Sequence, residues 1–150
     1  MEFGWSERQQ EVRGRVRSFL DAHLPADWEA IASQSPGSDA VTGFSREICP
    51  KLADAGLLVP HWPVEHGGEG ASAWEHFIIG EMLWEAGEPR GPQYYNVNWI
   101  GPTIMKYGSD EQKAYHLARM RKGDVIWSQG FSEPSGGSDL AALRTRAVRE

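Results

Sequence analysis

The stretch DVIWSQGFSEPSGGSDL, residues 124–140, decides how the chain is read, because the spacing of apolar residues changes there. Upstream, apolar side chains recur every three or four positions, the period of a helix. Val125, Ile126 and Trp127, followed by Phe131, instead form a short β-branched and aromatic run that reads as a strand. Beyond the glycines, Thr145, Arg146, Ala147, Val148 and Arg149 alternate as a second strand would. Two strands alone are marginal in water, so this portion predicts the start of a β unit rather than a finished one. The expected fold class is mainly α, with a helical domain over residues 1–123 and, at 124–150, the first strands of an incomplete β-domain.

The helical part has its own punctuation. Ser6 with Gln9 fits a capping box, after which Val12, Val16, Phe19, Leu20 and Leu24 keep helical spacing up to Pro25. Small and polar residues at 32–43 predict a loop. Residues 44–58 predict a helix stopped by Gly56, with a kink or restart at Pro50. The segment VPHWPVEHGGEG, 59–70, is a shaped loop between prolines and glycines. Ser72 with Glu75 opens a further helix to about Ala86, whose Trp74, Phe77, Ile78, Ile79, Met82 and Leu83 cover more than one face. After a break at 87–92, a segment around Trp99 to Tyr107 ends at Gly108. Ser109, Asp110 and Gln112 then start a helix reaching about Lys122.

Composition narrows the function. A formal charge of -6 excludes a dedicated nucleic-acid binder, which needs a basic face. One cysteine, Cys49, allows no intrachain disulfide and no sulfur-based metal cluster, and a cytoplasmic setting is expected. The N-terminus lacks the layout of a secretion signal, and no apolar run approaches the ~18 residues of a membrane span. The five histidines fall in no ligand pattern, so no metal site is expected, and there is no nucleophile elbow.

In the stretch itself, Gly136 and Gly137 let backbone amides approach a ligand, while Ser132, Ser135 and Ser138 offer hydroxyl donors. Such a cradle suits an anion such as a pyrophosphate. A hairpin turn built on Pro134 and Ser135 accounts for the same residues. Neither a dinucleotide fingerprint nor a P-loop is present.

Taken together and in order, residues 52–56 (Leu-x-x-x-Gly), 63–68 (Pro-x-x-x-Gly-Gly), 108–113 (Gly-x-x-x-Gln-Lys) and 132–139 (Ser-Glu-Pro-x-x-Gly-Ser-Asp) resemble the acyl-CoA dehydrogenases over nearly the whole chain. The resemblance implies FAD as cofactor. Gln129, Gly130, Phe131, Ser132, Glu133, Pro134, Ser135, Gly136, Gly137 and Ser138 correspond to the flavin-binding stretch. Phe131 and Ser132 are expected at the flavin ring, Gly137 and Ser138 on the phosphate and substrate side, with Ser138 touching the acyl-CoA. Gln129 stands where the family often has an aromatic residue, and Ser132 where it usually has threonine.

The implied reaction is α,β-dehydrogenation of an acyl-CoA thioester to a trans-2-enoyl-CoA. The implied partners are an electron-transfer flavoprotein or similar acceptor and other subunits in a homo- or hetero-oligomer. The family's proton-abstracting glutamate belongs to a later helical domain, so no catalytic residue is expected among residues 1–150. Glu150, at the end of a strand pattern, is not that base, and the chain alone is expected to be inactive. In the family the residues before the Gly101-Pro102 helix lie near the far end of the acyl chain. Tyr94, Tyr95, Asn96 and Asn98 there point to a bulky, ring-bearing or oxygenated acyl group, such as a steroid side chain or an aromatic intermediate, with Tyr94 and Tyr95 in contact. Plain packing of both tyrosines between helices is the other reading. Two alternatives for the whole are a non-catalytic partner subunit or folding module without flavin, and an oxidase or monooxygenase on the same scaffold.

Overall fold

A computed structural model describes residues 4–148. Its core is a set of helices: α1 (Glu7–His23), α2 (Trp28–Ala32), α3 (Asp39–Asp54), α4 (Ala73–Glu85), α5 (Gln93–Tyr95), α6 (Gly101–Tyr107) and α7 (Asp110–Met120). No helix among the described residues is long and apolar enough to cross a membrane.

Helices α1, α4 and α7 each start on a reciprocal capping box, Ser6 with Gln9, Ser72 with Glu75 and Ser109 with Gln112. In each the serine hydroxyl accepts from the third helical amide and the longer side chain accepts from the serine N–H, so two orphan donors are satisfied at once. Helices α1 and α4 pack against each other. Val12, Val16, Phe19 and Leu20 meet Ile78, Ile79, Met82 and Leu83 in one buried cluster. Each such side chain contributes about 1.5–3 kcal/mol by leaving water.

Helix α3 begins on Ser38, whose hydroxyl accepts from the Val41 amide at 3.3 Å. The loop expected at 32–43 is therefore shorter than its polarity suggests. Helix α3 also passes through Pro50, where a kink or restart was expected, because Ile48, Cys49 and Leu52 are buried on both sides of the proline and hold the helix in place. It ends in a Schellman motif: Gly56 takes φ 67°, its amide bonds Ala53 O at 3.0 Å, and the Leu57 amide bonds Leu52 O at 2.8 Å. Cys49 is buried, and burial pushes its thiol up to about 12.

Between α5 and α6 the chain makes one wide π turn, Asn96–Ile100, in which the Gly101 amide donates to Asn96 O. The sequence explains it. Pro102 carries no N–H and its ring crowds the carbonyl four residues back, so a widened turn relieves the clash. Val97 O, left without a helical donor, accepts instead from the Trp62 indole N–H at 2.8 Å. Trp62 is 1% exposed, and the bare Cα of Gly101 lies against its ring.

The strands expected at 125–131 and 145–149 do not form. Among the described residues the one β-type pairing is an isolated bridge between Glu133 and Gly136. The backbone groups that would have joined a ladder are taken by side chains. Asn96 pairs with Val125 O and the Trp127 amide. The Glu133 carboxylate accepts from the amides of Arg144 and Thr145 at 2.8 and 2.7 Å. Arg149 and Glu150 lie outside the described residues.

Candidate functional site

The segment 129–138 leaves the helical core and is largely exposed; Phe131 is 78% exposed. Its middle is a tight hairpin around Pro134 and Ser135: the Glu133 amide donates to Gly136 O at 2.9 Å and the Gly136 amide returns to Glu133 O at 3.1 Å. The hairpin brings Gly137 back to Ser132. A Cβ added at Gly137 would stand 3.0 Å from the Ser132 hydroxyl oxygen. Neither Gly136 nor Gly137 has positive φ, so what these positions require is close approach, not a left-handed backbone. Among the described residues no protein acceptor meets the amides of Phe131, Ser132, Gly137 or Ser138. The hairpin thus carries amides without a protein acceptor, a hydroxyl and a bare glycine, donors that suit an anionic, carbonyl-rich ligand.

Glu133 has a different task. Besides the two amides it accepts from the Thr145 hydroxyl, and these bonds hold its carboxylate below the usual range, the Thr145 hydroxyl foremost. It ties the hairpin to the segment that follows. Asp139 likewise caps a short turn, accepting from the Ala141 amide at 3.1 Å.

Tyr94 and Tyr95 belong to an aromatic cluster. Tyr94 lies 6.1 Å from Trp84, 5.7 Å from Tyr95 and 6.3 Å from Trp99, ring centre to ring centre, and Tyr95 lies 4.8 Å from Trp99. The pair borders a groove of about 330 Å³ lined also by Ala32, Pro36, Val41 and Gly91. No lining residue of this groove belongs to 129–138, so the tyrosines and the hairpin are not brought into one pocket. The tyrosines are held from behind by a turn with a buried ion pair. Arg90, 3% exposed, donates from Nε and Nη2 to the two carboxylate oxygens of Glu88 at 2.6 and 2.7 Å, and its guanidinium lies 5.2 Å from the centre of the Tyr94 ring.

Sequence reasoning missed Gln93 and read Asn96 as a polar group facing the acyl chain, whereas the carboxamide of Asn96 is spent on the backbone of Val125 and Trp127. Gln93 and Asn96, both 0% exposed, send their side-chain amides to the backbone at Gly123 and Val125. Two polar residues three apart, and so on one side of a helical stretch, are the signal that marks them. The His61 and His76 rings lie against each other, tilted, at 3.8 Å between ring centres. Burial first, then the His76 ring, holds the His61 imidazole down at about 4, and burial lowers His76 as well.

Residues 6–124 match the family described as acyl-CoA dehydrogenase, N-terminal domain. The chain is 37% identical over 150 residues to acyl-CoA dehydrogenase FadE26 of Mycobacterium tuberculosis, covering all of this chain and 37% of that one. Its fold superposes on the Tcur3481-Tcur3483 steroid ACAD with a TM-score of 0.83 at 36% identity, covering 100% of this chain and 38% of that one. A glutaryl-CoA dehydrogenase from Mycobacterium smegmatis in complex with FADH2 matches with a TM-score of 0.73 at 27% identity, over 97% of this chain and 36% of that one. The chain therefore spans little more than a third of the length of the relatives it matches. With the family's N-terminal domain matched over 6–124 and 37% identity to a member along the whole chain, the chain belongs to the acyl-CoA dehydrogenase family.

Proposed function

We propose that this chain is the N-terminal part of an FAD-dependent acyl-CoA dehydrogenase, with a helical domain at 1–123 and the beginning of the flavin-binding domain at 124–150. The observation that carries the reading is the face of the hairpin on which Ser132 and Gly137 meet, with unspent amides on both. Gln129, Gly130, Phe131 and Ser132 would line the flavin ring. Gly136, Gly137 and Ser138 would face the pyrophosphate and the thioester. The hydride acceptor is supplied by FAD when it is bound. The Ser132 hydroxyl would donate to the ring and so favour its more negative, reduced form, and the Phe131 side chain, exposed in this structure, would pack against the ring and keep water from it. Glu133 and Pro134 shape the turn and do not touch the reacting atoms. The proton-abstracting base is assigned to none of residues 1–150. An electron-transfer flavoprotein or similar acceptor, and a second subunit, complete the assignment.

The acyl group we assign is ring-bearing. The groove beside Tyr94 and Tyr95 offers flat aromatic walls, and the 36% identical steroid ACAD supports the same class. A plain alkyl tail would leave the tyrosine hydroxyls without partners.

Two measurements test this. The protein purified with FAD is expected to retain the oxidised-flavin absorbance through gel filtration, and Gly137→Val is expected to lose it, since the added methyls fill the space next to Ser132. Equal flavin content in both refutes the cradle, and a wild type without flavin supports the non-catalytic partner subunit. For the acyl group, kcat/KM of the complete enzyme is compared for straight-chain and ring-bearing thioesters. Preference for straight chains, unchanged by Tyr94→Phe and Tyr95→Phe, removes the ring-bearing assignment.

A further inference from the structure

We propose that Asn96 is a positioning residue for the flavin-binding loop: its buried carboxamide replaces one residue of a neighbouring strand and fixes where segment 125–132 leaves the helical core. The inference rests on the assignment of 129–138 to FAD above.

Asn96 is 0% exposed and sits at the start of the π turn. Its Nδ2 donates to Val125 O at 2.6 Å, and its Oδ1 accepts from the Trp127 amide at 3.0 Å. These two backbone groups flank Ile126. A parallel strand lying alongside would use the N–H and C=O of one residue to engage the same pair, so the side chain supplies what a strand otherwise would. Among the described residues these are the only hydrogen bonds from the helical part to the backbone of 125–132. The Trp127 ring packs edge-on against His116 at 5.0 Å and keeps the segment from rotating about the clamp. Three residues earlier, Gln93 holds Gly123 O at 3.1 Å and Ser45 O at 3.3 Å from the same helical stretch. Gln93 sets the start of the segment and Asn96 its direction, two residues before Gln129. An apolar side chain at position 96 would leave Val125 O and the Trp127 N–H without partners, and the loop would lose its fixed exit.

The test uses amide hydrogen exchange and FAD titration on wild type, Asn96→Ala and Asn96→Asp. In Asn96→Ala the Trp127 amide is expected to exchange about tenfold faster or more, with exchange across 129–138 also raised and α1 and α4 unchanged. The FAD Kd is expected to rise by about tenfold. Asn96→Asp gives a signature that plain destabilisation does not. At about pH 8 its carboxylate accepts from Trp127 but cannot donate to Val125 O, so FAD binding weakens. At about pH 5 the neutral acid, favoured by burial, donates to Val125 O as the amide did, and the ratio of variant to wild-type Kd falls back toward one. Comparing the two proteins at each pH separates the effect at position 96 from that of the other groups nearby, His116 against Trp127 and the His61 and His76 pair. Unchanged Trp127 exchange and unchanged Kd in Asn96→Ala overturn the proposal, as does a pH-independent ratio in Asn96→Asp. If Asn96→Ala does not fold, the ratio in Asn96→Asp decides. If wild type binds no FAD, the flavin assignment falls, while exchange at Trp127 and 129–138 still decides whether Asn96 is the anchor.

Discussion

At Gly101 the missing side chain is what lets Trp62 reach the interior. A Cβ there would overlap the indole ring, and the ring cannot retreat because its N–H is bonded to Val97 O in a buried site. Gly101→Ala is expected to cost about 1–3 kcal/mol, measured as a lowered denaturation midpoint at unchanged slope. Gly137 faces the same kind of constraint from Ser132, though at the surface, so Gly137→Val should leave the unfolding midpoint near wild type while flavin retention falls. The residue scale was half legible in the sequence. Pro134, Ser135 and the two glycines announced the hairpin, because these residues favour a tight turn. The partners of Asn96, Gln93 and Glu133 were not legible, because polarity alone does not say which distant backbone group a side chain satisfies.

Element boundaries were legible wherever a cap wrote them. The three capping boxes set the starts of α1, α4 and α7, since Ser and Gln or Glu at that spacing satisfy donors that exist whatever the tertiary context. Glu75 does more than cap: its Oε1 also accepts from Arg8 Nε of α1 at 2.8 Å, joining two helix starts, and these bonds keep its carboxylate below the usual range, the Ser72 N–H foremost. Ser72→Ala is expected to destabilise by about 1 kcal/mol. Because the Ser72 amide bond to Glu75 survives, most of the loss should appear as faster exchange in the first turn of α4. The strand expectation failed for a reason sequence cannot show. Val125, Ile126 and Trp127 have strand composition, but the Val125 carbonyl and the Trp127 amide bond to a side chain of the helical part rather than to another strand.

Across the whole molecule, burial of uncharged histidines makes stability depend on pH. The folded pKa of His61 lies at about 4 against an ordinary 6.5, and its Nδ1 is buried without a partner. The unfolded chain therefore binds more protons in that window, and stability rises with pH. Above about 6.5 the contribution is complete; as pH falls toward about 4 it is progressively lost. His76 shifts in the same direction, and Arg90 adds to both. The thermal midpoint is expected to fall between those values, and His61→Phe to flatten the fall; an unchanged slope would show that the pair does not carry it. The overall arrangement of helices was readable because apolar period and caps agree along most of the chain. The relation between the aromatic groove and the hairpin was not, since it depends on where Gln93 and Asn96 anchor the exit of the core.

The lone thiol has a practical consequence. Cys49 lies on the buried face of α3 with its sulfur protonated at any physiological pH, so a maleimide or disulfide reagent finds no thiolate until the core opens. Its labelling rate in native buffer then times opening of the core, and a cysteine introduced at Gln129 would be the sole fast-reacting handle on the intact protein. One dye, placed there without removing the native residue, would report the hairpin's closing on a ligand against a dark background.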